Sequence, residues 1–245
     1  MIRIATLAAA TVAVILGLGC AGRSPEPEQV KKGQFGIRIS VAEIVGRESA
    51  HYFDAVGADE IIEWAVFVPR SYDATTAAGL MVYVSPAPSG QVPPAWRTPI
   101  ADHNLIWIAA NNSGNDVAAG KRGTYALLGR LIADQMYRID KARIYVSGFS
   151  GGGRIASIVA AEHADLFNGA IYNSGANFLA DAEQSHLDFM RRNRYVFISG
   201  TGDFNLRDTR LVHNSYKNAG IENIKLIVIN GMGHENPDAR HFSEA

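Results

Sequence analysis

The chain has 245 residues, of which 47% are hydrophobic, and its 23 Lys and Arg nearly balance 24 Asp and Glu. A formal net charge of -1 excludes the basic footprint of a nucleic-acid binder. A single cysteine excludes an intramolecular disulfide.

Met1-Ile2-Arg3 gives a short positive start, residues 4–19 carry no charge, and Cys20 follows. This pattern predicts a secretory signal peptide over residues 1–19. The uncharged run of about 16 residues falls short of the roughly 20 that a spanning helix needs, which disfavours a retained anchor. Leu16-Gly17-Leu18-Gly19-Cys20 resembles a bacterial lipoprotein lipobox, although Gly17 stands where such boxes usually carry Leu. The resemblance implies a lipid on Cys20 and attachment to a membrane through it. The alternative is cleavage after Ala21 and a freely secreted protein. The expected location is therefore outside the cytoplasm: an envelope lipoprotein on the periplasmic or outer-membrane side, or a secreted protein. Residues 20–33, with Ser24-Pro25-Glu26-Pro27-Glu28, read as a flexible tether, and residues 34–245 suffice for one α/β domain.

Within that domain, Phe35 to Val45 and Ile61 to Val68 read as early strands forming an antiparallel pair. Leu80 to Val84 and Leu105 to Ala110 are the next strands. Tyr125 to Tyr137 has helical spacing, with Leu127, Leu128, Leu131, Ile132 and Met136 on one side. Ala142 to Val146 reads as a buried strand, and Gly153 to Ala161 as a helix packed on a sheet. Gly169 to Tyr172, Tyr195 to Ile198 and Ile224 to Ile229 complete the strands, with a helix over 206–219. This alternation predicts a mostly parallel central sheet with helices on both faces.

Between a strand and a helix lies Gly148-Phe149-Ser150-Gly151-Gly152. A serine is a nucleophile only where the fold exposes it, a base takes its proton and amides hold the oxyanion. G-x-S-x-G in this context supplies the exposure, through a turn so tight that its flanks must be small. Asp203 and His234 likewise follow strands, and loops after the carboxyl ends of parallel strands form the ligand crevice. Asp208 and Asp188 compete with Asp203, but Asp208 lies in the following helical run and Asp188 precedes its strand. Gly148-x-x-Gly151-x-Gly153 also matches a loose dinucleotide pattern, disfavoured because it lies mid-chain. Ser147 sits inside the strand pattern. The remaining histidines show no metal-ligand spacing, and neither a metal nor an organic cofactor is expected.

The order Ser150, Asp203, His234 is that of the α/β-hydrolase triad, and the chain resembles that superfamily over nearly the whole mature domain. Gly-Phe-Ser-Gly-Gly-Gly, Gly-Thr-Gly-Asp-Phe-Asn and Gly-Met-Gly-His are similar to secreted esterases of the feruloyl esterase and polyhydroxybutyrate depolymerase type. The resemblance implies the α/β-hydrolase fold, with Ser150 as nucleophile, His234 as general base and acid, and Asp203 as its orienting carboxylate. It implies an oxyanion hole from the amide of Gly151 and a second amide in the loop after Leu80 to Val84. Many members carry His-Gly there. This chain has Ser85-Pro86-Ala87-Pro88-Ser89-Gly90, where Ala87 stands at the donor position and is the only amide between two prolines.

The loop 111–116 could contact a polar acyl or sugar group, or be a solvated turn. Trp96 could be an aromatic wall beside the site, or packed structure. No long insertion forms a lid, so small or polymeric esters could both enter. The expected activity is a serine esterase. The alternatives are a serine peptidase on the same fold and a tethered binding protein without turnover, the latter supported by the missing His-Gly.

Overall fold

The structure, a computed structural model, describes residues 30–178 and 183–245. The expected signal peptide, Cys20 and the tether up to residue 29 lie outside the described residues.

The described chain begins with β1 (Gly33–Ser40) and β2 (Ile61–Val68), which pair antiparallel, as expected for these two early strands. β3 (Ala78–Val84), β4 (Leu105–Ala110), β5 (Ile139–Phe149), β6 (Gly169–Asn173), β7 (Arg194–Gly200) and β8 (Ile224–Ile229) follow, separated by helices. One eight-stranded sheet results, in the order β1-β2-β4-β3-β5-β6-β7-β8. From β4 to β8 every neighbouring pair is parallel, while β2 joins β4 antiparallel.

The sheet is buried on both sides because its inner strands are apolar at successive positions, not at alternate ones. All seven residues of β3 are buried. Leu80, Val82 and Val84 enter the larger core with Ile106, Ile108, Val146 and Phe197, whereas Met81 and Tyr83 enter a second core with Trp96, Trp107 and Phe242. Burying a large apolar side chain contributes about 1.5–3 kcal/mol, so both layers stabilise the sheet.

The larger core is covered by α1 (Val41–Val45), α3 (Ala119–Met136), α4 (Gly151–Glu162), α5 (Gln184–Met190) and α6 (Leu206–Asn218). On the other face, α2 (Arg97–Asp102) packs against α7 (Ala239–Ser243).

Strand β5 extends to Ile139–Phe149, beyond the expected 142–146, and the two largest differences from the sequence reading are at β1 and α3. Residues 41–45 are helical, not strand. Ser40 and Glu43 form a capping box in which the Glu43 amide donates to Ser40 Oγ and the Ser40 amide to Glu43 Oε2 at 2.8 Å. Helix α3 begins six residues before the predicted Tyr125, because Gly120 and Gly123 dilute the apolar periodicity. Its Gly129 permits close packing, since a Cβ there would lie 2.9 Å from the Trp64 ring.

Candidate active site

The parallel register brings Phe149, Asn173 and Ile198 level, with Gly200 beside Ile229. The loops after β5, β6, β7 and β8 therefore leave from one edge. Ser150 occupies the first, with φ 54° and ψ -122°. Such a conformation costs a non-glycine residue about 1–3 kcal/mol and persists only where neighbours enforce it. Here the Ser150 amide donates to the Asn173 carbonyl at 2.8 Å, and the Arg154 amide to the Ser150 carbonyl at 3.1 Å. The flanking glycines are required by contact: a Cβ on Gly148 would lie 2.7 Å from Gly153 N, and one on Gly152 would lie 2.8 Å from the Val84 carbonyl carbon. Strand and helix can cross this closely only without side chains.

His234 lies on the loop after β8, its Nε2 2.9 Å from Ser150 Oγ and its Nδ1 2.9 Å from Asp203 Oδ1. Both bonds form in one tautomer, in which Nδ1–H donates to the carboxylate and Nε2 accepts the serine proton. The Asp203 side chain is fully buried. Its Oδ1 also accepts from the Asn205 amide at 2.9 Å, and its Oδ2 from the Ser199 hydroxyl at 2.7 Å. Burial raises the carboxyl, but hydrogen bonding from Ser174, the Asn205 amide, Ser199 and His234 outweighs it and holds the group below its ordinary value. The buried Ser174 hydroxyl makes no hydrogen bond of normal geometry, so its influence is that of a nearby dipole.

The competing carboxylates are elsewhere. Asp208 is in α6, exposed, 3.9 Å from Arg154, and Asp188 is in α5, paired with Arg191 at 2.9 Å. Ser147 is buried within β5.

Neither a family model nor a curated protein sequence matches the chain. Solved structures do. A ferulic acid esterase superposes with a TM-score of 0.61 at 16% identity, over 86% of this chain and 95% of that one. Est1E from Butyrivibrio proteoclasticus gives 0.58 at 16% identity, over 77% and 93%. An acylaminoacyl peptidase from Pyrococcus horikoshii gives 0.60 at 13% identity, over 87% of this chain but 40% of that one. The chain has the α/β-hydrolase fold.

In this α/β-hydrolase fold, the loop after β3 and the loop after β4 border Ser150. Gly151 is the first residue of α4, so its amide has no partner within the helix. The Ala87 amide is engaged, donating to Ser85 Oγ at 3.1 Å. The buried Arg122 guanidinium donates to the Ser85 carbonyl at 2.8 Å. Burial lowers its pKa, and Asp116 opposes the shift. The loop 111–116 is bound to the same segment: the Asn112 amide donates to the Pro88 carbonyl at 2.6 Å, the Asn115 amide to the Pro86 carbonyl at 3.0 Å, and the Gly90 amide to Asn111 Oδ1 at 2.9 Å.

Trp96 is packed structure, not a wall of the site. It is fully buried, stacks on Phe242 at 4.1 Å and donates to the Pro237 carbonyl at 2.8 Å. The aromatic residues at the site are Phe149 and Phe204, whose rings lie 4.9 and 4.2 Å from the His234 ring. Phe204 is 75% exposed. Sequence reasoning passed over it, although its place directly after Asp203 was a usable signal. Ser199, Ser174 and Asn205 were also passed over. Their roles depend on contacts across loops, for which the sequence carries no pattern.

Proposed function

We propose that this protein is a serine hydrolase that cleaves carboxylic esters through an acyl-enzyme. The observation that carries the reading is the unbroken chain of hydrogen bonds from Ser150 through His234 to Asp203 at the carboxyl edge of the sheet. As His234 Nε2 takes the hydroxyl proton, Ser150 Oγ bonds to the ester carbonyl carbon. The carbonyl electrons move onto its oxygen, which the Gly151 amide meets. When the intermediate collapses, the carbon–oxygen bond to the alcohol breaks and Nε2 returns the proton to the departing oxygen. Water then repeats the sequence on the acyl-serine, releasing a carboxylic acid and restoring the hydroxyl. Asp203 fixes the tautomer and stabilises the imidazolium in both halves.

The esterase neighbours support ester substrates, and ferulic acid is bound in one Est1E structure. The peptidase neighbour keeps amide cleavage as a second reading, since the same three side chains serve both reactions. The binding-protein reading draws on the committed Ala87 amide. Export with a lipid on Cys20 belongs to the same proposal; mass spectrometry of the membrane fraction and of a Cys20→Ala variant tests it.

The experiment for the activity is fluorophosphonate labelling together with hydrolysis of p-nitrophenyl esters and peptide p-nitroanilides, on wild type and Ser150→Ala. Labelling and ester turnover that both vanish in the variant are expected. A folded wild type that neither labels nor turns over overturns the proposal, and faster anilide than ester cleavage establishes the peptidase.

A further inference from the structure

We propose that the side-chain amide of Asn115 is a hydrogen-bond donor of the oxyanion hole, doing there what a loop backbone amide would otherwise do. The inference rests on the ester-hydrolase reading above and specifies its electrostatics.

An oxyanion needs donors fixed about 2.7–3.1 Å from where the charge develops. The Gly151 amide is one, at the start of α4, where the helix end also favours negative charge. The loop after β3 is poorly equipped to provide another. Pro86 and Pro88 have no amide hydrogen, and that of Ala87 between them is bound to Ser85 Oγ. Ser85 is itself buried, its carbonyl held by Arg122.

Asn115 is exposed, and its side chain lies directly against Gly151. A Cβ at position 151 would meet Asn115 Oδ1 first, then Cγ at 2.8 Å and Nδ2 at 3.0 Å, so the oxygen is the nearer of the two amide atoms. Glycine at that position therefore leaves room for this side chain next to the Gly151 amide. The Asn115 backbone is held in place. Its amide donates to the Pro86 carbonyl, Val117 closes a turn onto Gly114 at 3.0 Å, and a Cβ on Gly114 would meet Ala87 at 3.2 Å. The loop whose Ala87 amide is engaged thus fixes the residue that brings a side-chain amide. Among the described residues, Asn115 Nδ2 and Oδ1 take part in no hydrogen bond, and a half-turn about the last side-chain torsion exchanges them. The donor is neutral, so its contribution does not titrate.

The test is steady-state hydrolysis of a p-nitrophenyl ester by wild type, Asn115→Ala and Asn115→Asp, beside the affinity of an alkyl boronic acid, which forms a tetrahedral adduct on the serine. Losing one such donor costs about 10²–10³-fold in kcat. The expected result is a loss of that size in both variants, with KM within threefold, boronate affinity reduced in parallel and the thermal midpoint of at least one variant unchanged. Full kcat in either folded variant overturns the inference while leaving the esterase intact. So does a fall in kcat without a fall in boronate affinity, which would mark Asn115 as merely structural. If the wild type is folded but neither hydrolyses esters nor labels with a fluorophosphonate, the esterase reading fails and this inference fails with it.

Discussion

Replacing Asp203 by Asn isolates what the buried carboxylate does for His234. The amide has the same shape, so its orientation decides the outcome. Asp203 Oδ1 accepts from both the Asn205 amide and His234 Nδ1, while Oδ2 accepts from the Ser199 hydroxyl. A backbone N–H cannot become an acceptor, whereas a hydroxyl can rotate to accept. Asn at 203 must therefore place its carbonyl oxygen at the Oδ1 position and its NH2 toward Ser199. The carbonyl still accepts from Nδ1–H, so the imidazole keeps the productive tautomer and only the negative charge is lost. Two unit charges about 4 Å apart interact by about 4 kcal/mol at an effective dielectric near 20. With about 1.36 kcal/mol per factor of ten, kcat should fall by about 10³. In a serine protease, where the same change gives the wrong tautomer, the loss is about 10⁴. The assay is kcat on a p-nitrophenyl ester together with the ¹⁵N shifts of the His234 ring. An Nε2–H tautomer in the variant, or a loss under tenfold, refutes the reasoning. Stability adds a check. The Asp203 carboxyl lies below its ordinary 3.8, so its stabilisation is present above that pH and lost as pH falls through the lowered value. The variant lacks it, and the two stability curves should converge below pH 3.8.

Three further outcomes follow from contacts. Gly148→Ala drives a methyl group into the Gly152 carbonyl and to 2.7 Å from Gly153 N, both backbone; we expect a cost of about 1–3 kcal/mol in chemical denaturation and at least a hundredfold loss of kcat/KM if Ser150 shifts by about 1 Å. Trp96→Ala empties a site with no exposed surface and breaks the bond to the Pro237 carbonyl, three residues past His234; urea unfolding should show a loss of about 3–5 kcal/mol. Burial holds the His163 imidazole below its ordinary 6.5, with Asp165 opposing and His186 adding to the shift. Its neutral form stabilises the fold above pH 6.5, and this is lost as pH falls through 6.5 toward the lowered value. His163→Gln should flatten the thermal midpoint over that interval.

The sheet and the position of the site were legible because both depend on local pattern. Each of Ser150, Asp203 and His234 stands just past an apolar run, and parallel pairing brings such positions to one edge whatever the loops contain. The glycines around Ser150 were legible for the same reason. What escaped depends on tertiary contact. Nothing in Ser40-Val41-Ala42-Glu43 announces a helix until the capping box is weighed against the β-branched residues around it. Ala87 stands at the expected donor position, but whether its amide is free depends on one side-chain rotamer of Ser85. Asn115 and Gly151 are 36 positions apart, and only the fold shows that one fills the space left by the other.

The open aromatic face of Phe204 bears on how this protein must be handled at the bench. A ring three-quarters bare beside His234 offers its apolar face to any amphiphile in the buffer. On the esterase reading proposed above, detergent monomers that settle there compete with substrate, raising the apparent KM while leaving kcat alone, so activities measured above and below the micellar threshold will not be comparable.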